Sequence, residues 1–181
     1  DYTGRVVQLG LAASLQAVRE ARLEDVDRTR VGVLVSSGQG SVEIFVDQVQ
    51  RAAARGPRAV SPYFIPSAMP NALSGLIATK LGLRGPSFNI ASACATSTHS
   101  LAIGALLILS GDADVVIAGG GEAATCPATI AGFGNARALA KAYQGDPTRA
   151  SRPYDKHRNG FVIGEGAGAI VLESEAHAKA R

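Results

Sequence analysis

The chain has 181 residues, 46% of them hydrophobic and only 18% charged, with 21 glycines, two cysteines and a net charge of +3. That balance suits one domain with a sizeable core and excludes a disordered polar tail, while the glycines follow no collagen period. The weak charge, no denser than the three arginines between Arg51 and Arg58, excludes a nucleic-acid footprint, and two cysteines are too few for a disulfide framework.

Val7, Leu11, Leu15 and Val18 fall at helical spacing and predict an amphipathic helix over Val6–Ala21. Val31–Val35 reads as a buried strand running into the turn Ser37-Gly38-Gln39-Gly40. Val42, Phe45, Val46, Val49 and Ala53 mark the next helix, closed by Gly56-Pro57. Ser61–Pro70, with three prolines, is expected to be an extended loop, and a helix follows over Asn71–Leu81. Ser87–Ser92 reads as a short strand and Ala95–Ser110 as a helix apolar on nearly every face, which suits the middle of a layered protein.

Asp114–Gly119 is another buried strand, and no element is assigned from there to Asn159. Gly160–Ile163 and Ala167–Glu173 read as a strand pair split by Gly164-Glu165-Gly166, and Glu175–Arg181 opens a helix. Alternating helices and apolar strands predict an α/β layered architecture around a mainly parallel sheet. A chain that starts and ends on helix signals, with few elements to cover its most apolar helix, is expected to be truncated at both ends.

The longest apolar run, Leu101–Leu109, is far short of the roughly 20 residues of a membrane helix. The first residues lack the charged-then-apolar pattern of a secretory leader, so the cytoplasm is the expected setting. Asp112, Asp114, Glu122 and Glu165 have no metal-ligand spacing, and Gly164–Gly168 lacks the Lys and Ser/Thr of a phosphate loop.

The chemistry concentrates in Asn89–Thr98, where Cys94 sits at a strand-to-helix turn among Ala and Ser. Small neighbours admit a tight bend and a close substrate, and the N–H groups opening the helix favour a nucleophilic thiolate and a developing oxyanion. The layout parallels the serine elbow of the α/β-hydrolases without being that motif. The alternative is an inert thiol filling a small space. A catalytic thiolate needs a base, and no histidine here suits the task. His99, five residues on, is rotated by roughly 140° from the Cys94 face and reads as a packed or interface residue. His157 sits in a charged, solvated turn and His177 in the terminal helix signal. Cys126 has no partner at motif spacing and reads as a packed thiol.

Taken in order, these segments resemble the elongating β-ketoacyl-acyl carrier protein synthases of type II fatty acid and polyketide synthesis, members of the thiolase-like superfamily. The resemblance rests on Val31–Val35 with Ser37-Gly-Gln-Gly40, Ser61–Pro66, Gly82–Pro86 and Ser92-Ala-Cys-Ala-Thr96. It continues through Gly111–Val115, Ala118–Glu122, Gly132-Phe133 with Arg137–Leu139, Ala150–Lys156, Gly160–Gly168 and Glu175–Lys179. Each piece alone is weak; their common order is specific. The implied fold is the layered αβαβα thiolase-like fold, with residues 1–181 as an incomplete N-terminal half.

The resemblance implies that Cys94 is the acyl-accepting nucleophile. It takes a chain from carrier phosphopantetheine before decarboxylative condensation with malonyl-carrier, and no cofactor resides on the enzyme. Two histidines, a lysine and the second oxyanion-hole N–H would lie downstream. Phe133 matches a pocket-lining aromatic. Gln39 stands where the family usually has an apolar residue at the acyl-pocket floor, which implies a shorter or more polar pocket. Phe64 and Met69 match positions that reach the other subunit's pocket in a homodimer, with plain intrachain packing as the alternative. Arg58 and Arg137 match positions that meet the acidic acyl carrier protein, against simple solvation.

Three other readings stay open. One is a coenzyme A-dependent thiolase, which Arg152–Lys156 and Gly160–Gly168 disfavour. Another is a non-catalytic chain-length-factor partner in a heterodimer, which Cys94 disfavours. The third is that the 181 residues alone, lacking half of the site, are inactive.

Overall fold

The computed structural model describes residues 3–181. The described residues divide into two compact units: residues 3–123 with 166–181, and residues 124–165.

The first unit is built on strands β1 (Val31–Ser36), β2 (Val115–Ala123) and β3 (Glu165–Glu173), in the order β1-β2-β3. β1 and β2 are parallel, with Val31 opposite Val115 and Ser36 opposite Gly120. Every residue of β1 is buried, as are the first six of β2. Continuous Val, Ile and Leu suits a strand covered on both faces.

β3 departs from the expected mainly parallel sheet. The Ser174 N–H donates to the Asp114 carbonyl at 3.1 Å, while Gly168 lies against Gly119 and Ala167 against Gly121. As β3 advances its neighbours on β2 recede, so β3 runs antiparallel. Its outer position, with only half-buried and exposed residues, is where an antiparallel strand joins an otherwise parallel sheet.

Helices α1 (Arg5–Ala21) and α4 (Ala72–Leu81) cover one face of this sheet. Val6, Val7, Leu73 and Ile77 pack there with Val31, Val33, Val35, Val115 and Ile117. On the other face α5 (Thr96–Leu109) lies over β2 and β1, with Leu101, Ile103, Leu107 and Ile108 against Leu34, Val116 and Ala118. This unit therefore has three layers. Full burial of side chains such as Leu34, Leu73, Ile77 and Ile117 contributes about 1.5–3 kcal/mol each.

The buried stripe of α1 is Val6, Val7, Gly10 and Ser14 rather than the Leu11–Leu15 line. Close helix approach explains the rotation. A Cβ on Gly10 would stand 2.4 Å from a Leu73 methyl, and the Ser14 hydroxyl is satisfied by the Gly10 carbonyl at 2.8 Å.

On α2 (Val42–Arg55) the apolar line also fails to mark the inner face: Phe45 and Val49 are about half exposed. The buried residue is Gln48, whose Oε1 accepts the Ser61 N–H at 2.7 Å. Part of the expected loop Ser61–Pro70 is helical, as α3 (Phe64–Ala68). Pro66 is tolerated because a first helical turn needs no N–H there.

Ser87–Ser92 forms no ladder beyond a single bridge between Ser87 and Val33. Its N–H groups go to side chains instead, Ile90 to Ser36 Oγ and Ser92 to Thr96 Oγ1. A short helix α7 (Glu175–Ala180) ends the chain, its first turn capped by the Ser174 hydroxyl.

The second unit holds α6 (Pro127–Asn135), an element the sequence reading left out. Its glycines and lack of an apolar stripe hid it, although Pro127 at the first position is a helix-start signal. The expected strand Gly160–Ile163 is absent. Phe161 pairs locally with Ala138 and Ala140 through N–H···O bonds of 3.0 and 2.8 Å, and β3 begins within Gly164–Gly166 instead of after it.

Candidate active site

Cys94 lies in a short 3-10 turn, Ala93–Ala95, two residues before α5, and within these 181 residues it is exposed. Ala93 carries a φ of +51°, a region that costs a residue with a Cβ about 1 kcal/mol or more. Such strain persists only where surrounding contacts over-determine it.

Those contacts are visible on both sides of the turn. The Ser92 N–H donates to Thr96 Oγ1 at 3.0 Å, the Ala95 N–H donates to the Ser92 carbonyl at 3.1 Å, and His99 Nδ1 lies 2.7 Å from Ser92 Oγ. Thus His99 is exposed within these 181 residues, as an interface residue would be, and ties Ser92, before the elbow, to the first turns of α5. His157 is exposed, and His177 sits 2.6 Å from Glu173.

The β1–α2 turn lies beside this elbow: a Cβ on Gly38 would be in ordinary contact with Ala93. The turn is held by two side chains to which sequence reasoning gave no role. Asn89 brackets Ser37, accepting its N–H at 2.7 Å and donating to its carbonyl at 3.1 Å. The Glu122 carboxylate, at the end of β2, accepts the Ser37 hydroxyl at 3.0 Å and the Gly38 and Gln39 N–H groups at 3.1 and 3.2 Å. A lone carboxylate closing a buried glycine-rich strand was the available signal.

Gln39 is exposed and hangs from this clamped turn. The turn also touches the segment that follows α3, since the Ser41 N–H donates to the Ala68 carbonyl at 3.4 Å. Phe64 is half-buried and stacks in tilted fashion on Phe45, with centroids 5.5 Å apart, so it has an intrachain partner; Met69 is exposed. Arg58 is exposed on a short 3-10 turn.

Within the second unit, Phe133 on α6 is half-buried and meets the edge of Phe161, centroids 5.1 Å apart. Arg137 follows that helix, exposed and in the left-handed region at φ +56°. Cys126 caps α6, and the Thr129 hydroxyl 3.2 Å from its sulfur holds the thiol below its ordinary range. Among the described residues no group of three or more His, Cys, Asp or Glu side chains could hold a metal ion, and no helix is long and apolar enough to cross a membrane.

The profile of the β-ketoacyl synthase N-terminal domain matches residues 1–178. The chain belongs to that family. This ketosynthase chain is 45% identical over 177 residues to 3-oxoacyl-[acyl-carrier-protein] synthase 2 of Vibrio cholerae, spanning 97% of itself and 42% of that relative. It is 47% identical over 160 residues to the chloroplastic 3-oxoacyl-[acyl-carrier-protein] synthase I of Arabidopsis thaliana, covering 88% of itself and 34% of that protein. A β-ketoacyl synthase from Burkholderia phymatum superposes with a TM-score of 0.88 at 30% identity, over 99% of this chain and 44% of that one. A type II polyketide ketosynthase solved with its acyl-carrier protein and bound to the hexaketide superposes at 0.92 with 28% identity, over the whole of this chain and 46% of that one. The ketosynthase chain thus spans less than half the length of these relatives, and its fold is the thiolase-like fold they share.

Proposed function

We propose that the full-length gene product is a β-ketoacyl-acyl carrier protein synthase with Cys94 as its nucleophile. The observation that carries this reading is an exposed cysteine on a strained turn at the N-terminal end of α5, in a chain of the ketosynthase family. The Cys94 thiolate attacks the thioester carbonyl of an acyl carrier. The bond to the phosphopantetheine sulfur breaks, and the carrier thiol leaves with a proton. Malonyl-carrier then loses carbon dioxide, and the resulting carbanion attacks the Cys94 thioester. The 3-oxoacyl-carrier formed is two carbons longer, and the Cys94 sulfur is the leaving group. The Cys94 N–H supplies one donor to the tetrahedral oxyanion.

In this reading the acyl groups arrive on carrier phosphopantetheine and no further cofactor is required. Gln39, Phe133, Phe64 and Met69 line acyl pockets, the last two across a homodimer. Arg58 and Arg137 meet the acidic carrier, where complementary charge raises the encounter rate more than the affinity. A cytoplasmic setting belongs to the same proposal, and fractionation of the producing cells tests it.

The deciding experiment is intact-mass analysis of the full-length product after incubation with short acyl-carrier protein, beside Cys94→Ala. An acyl-sized gain that vanishes in Cys94→Ala is expected. Two folded, unmodified proteins would overturn the reading in favour of a chain-length-factor partner, the kind of assembly named for one structural neighbour, the ishigamide ketosynthase/chain length factor.

A further inference from the structure

We infer that Glu122 is a positioning residue that sets the acyl-chain preference and the accessibility of Cys94 through the β1–α2 turn. Its carboxylate gathers the Ser37 hydroxyl and two successive N–H groups, those of Gly38 and Gln39. Two consecutive backbone donors converging on one carboxylate oxygen fix the peptide planes on either side of Gly38. Ser37 Oγ passes the constraint on, accepting the Gly40 N–H at 2.8 Å. Gly40 has a φ of +68°, and any Cβ there would stand 2.6 Å from the Ala68 carbonyl oxygen.

Glu122 therefore governs three things at once. It aims Gln39, it seats Gly38 against the strained Ala93 beside the nucleophile, and it places Gly40 against the segment leading to Met69. None of these is a contact with substrate, so its effect is geometric. The acyl-preference part rests on the ketosynthase reading above; the accessibility part does not.

The test uses the full-length product in a Cys126→Ser background, so that Cys94 is followed without the second thiol of this chain. Parent, Glu122→Ala and Glu122→Gln are compared for acylation by short, medium and long acyl carriers and for alkylation of Cys94 by iodoacetamide, read at that residue by peptide mass. In Glu122→Gln the amide oxygen still accepts from Gly38 and Gln39, and its NH₂ faces Ser37 Oγ. The clamp therefore survives without the charge.

The expected result is a shift of about tenfold in the long-to-short acylation ratio for Glu122→Ala, with Glu122→Gln within about twofold of the parent. Cys94 alkylation follows the same order. A Glu122→Ala protein that melts at lower temperature yet keeps the parent's acylation ratio and alkylation rate overturns the inference. So does a Glu122→Gln protein as altered as Glu122→Ala, because charge rather than geometry would then be at work. If Glu122→Ala does not fold, Ser37→Ala, which removes the hydroxyl linking Glu122 to Gly40, decides: a shift of the acylation ratio and of the Cys94 alkylation rate by more than about twofold supports the inference and parental values overturn it. If the parent takes no acyl group, the ketosynthase reading falls and alkylation alone settles the role of Glu122.

Discussion

Ala93 bears backbone strain one residue before Cys94, the proposed nucleophile, and a glycine there would relieve it. For Ala93→Gly the removal of the left-handed penalty is opposed by greater freedom of the unfolded chain, so the melting temperature is expected to change little. The elbow loses its stiffness, however, and acylation of Cys94 in the full-length product is expected to fall about tenfold. Calorimetry beside intact-mass kinetics reads both; an equally fast Ala93→Gly enzyme would show the strain to be incidental. At this scale the bend that carries Cys94 and the turn Ser37–Gly40 were legible in residue types and spacing. The roles of Glu122 and Asn89 were not, because each acts on residues more than 50 positions away and no local pattern reports such a pairing.

Between elements, ion pairs join segments that are remote in sequence. Arg30 spans the starts of β1 and β2, its Nε and Nη2 each 3.1 Å from the Asp114 carboxylate, which it holds below the usual carboxylate range. Arg181 donates to Glu173 and also to the Ala21 and Arg22 carbonyls at the end of α1. The Arg181 guanidinium, with a smaller share from His177, lowers the Glu173 carboxyl from 4.5 to about 2.

A depressed carboxylate stabilises the fold fully above its unfolded value, and that contribution is lost as pH falls through the folded value. Hence the tie of β3 to α1 is expected to hold above pH 4.5 and to weaken from there down to about 2. An acid titration of the melting temperature checks this, and Arg181→Gln is expected to flatten that part of the curve. Unchanged acid sensitivity in Arg181→Gln would remove the assignment. Most helices and β1 were readable from period and punctuation, whereas α3, α6 and the antiparallel course of β3 were not. A proline inside a first helical turn, a glycine-rich helix and the direction of an edge strand leave no periodic trace.

For the whole molecule, large apolar side chains stay exposed on several elements, α5 among them. Leu106 and Leu109 of α5 are 56% and 81% exposed, on a helix whose opposite face is packed on the sheet. Contiguous apolar surface of this kind drives association. The 181-residue chain is expected to self-associate at micromolar concentration, and Leu106→Gln with Leu109→Gln to shift it toward monomer in sedimentation velocity. A monodisperse parent would refute the expectation.

The family and the layered α/β class were determined by the linear order of residues, because hydrophobic period, turn chemistry and motif order are local properties that survive without coordinates. Which apolar faces are covered was decided only by tertiary packing. The stripes of α1 and α2 are rotated from their apparent centres by the close approach of Leu73 to Gly10 and by the bond from Ser61 to Gln48. Tertiary structure alone also decided the clamp around the elbow. Its parts, Ser37, the Asn89–Ala93 stretch and Glu122, come from three separate segments that only the tertiary structure brings together.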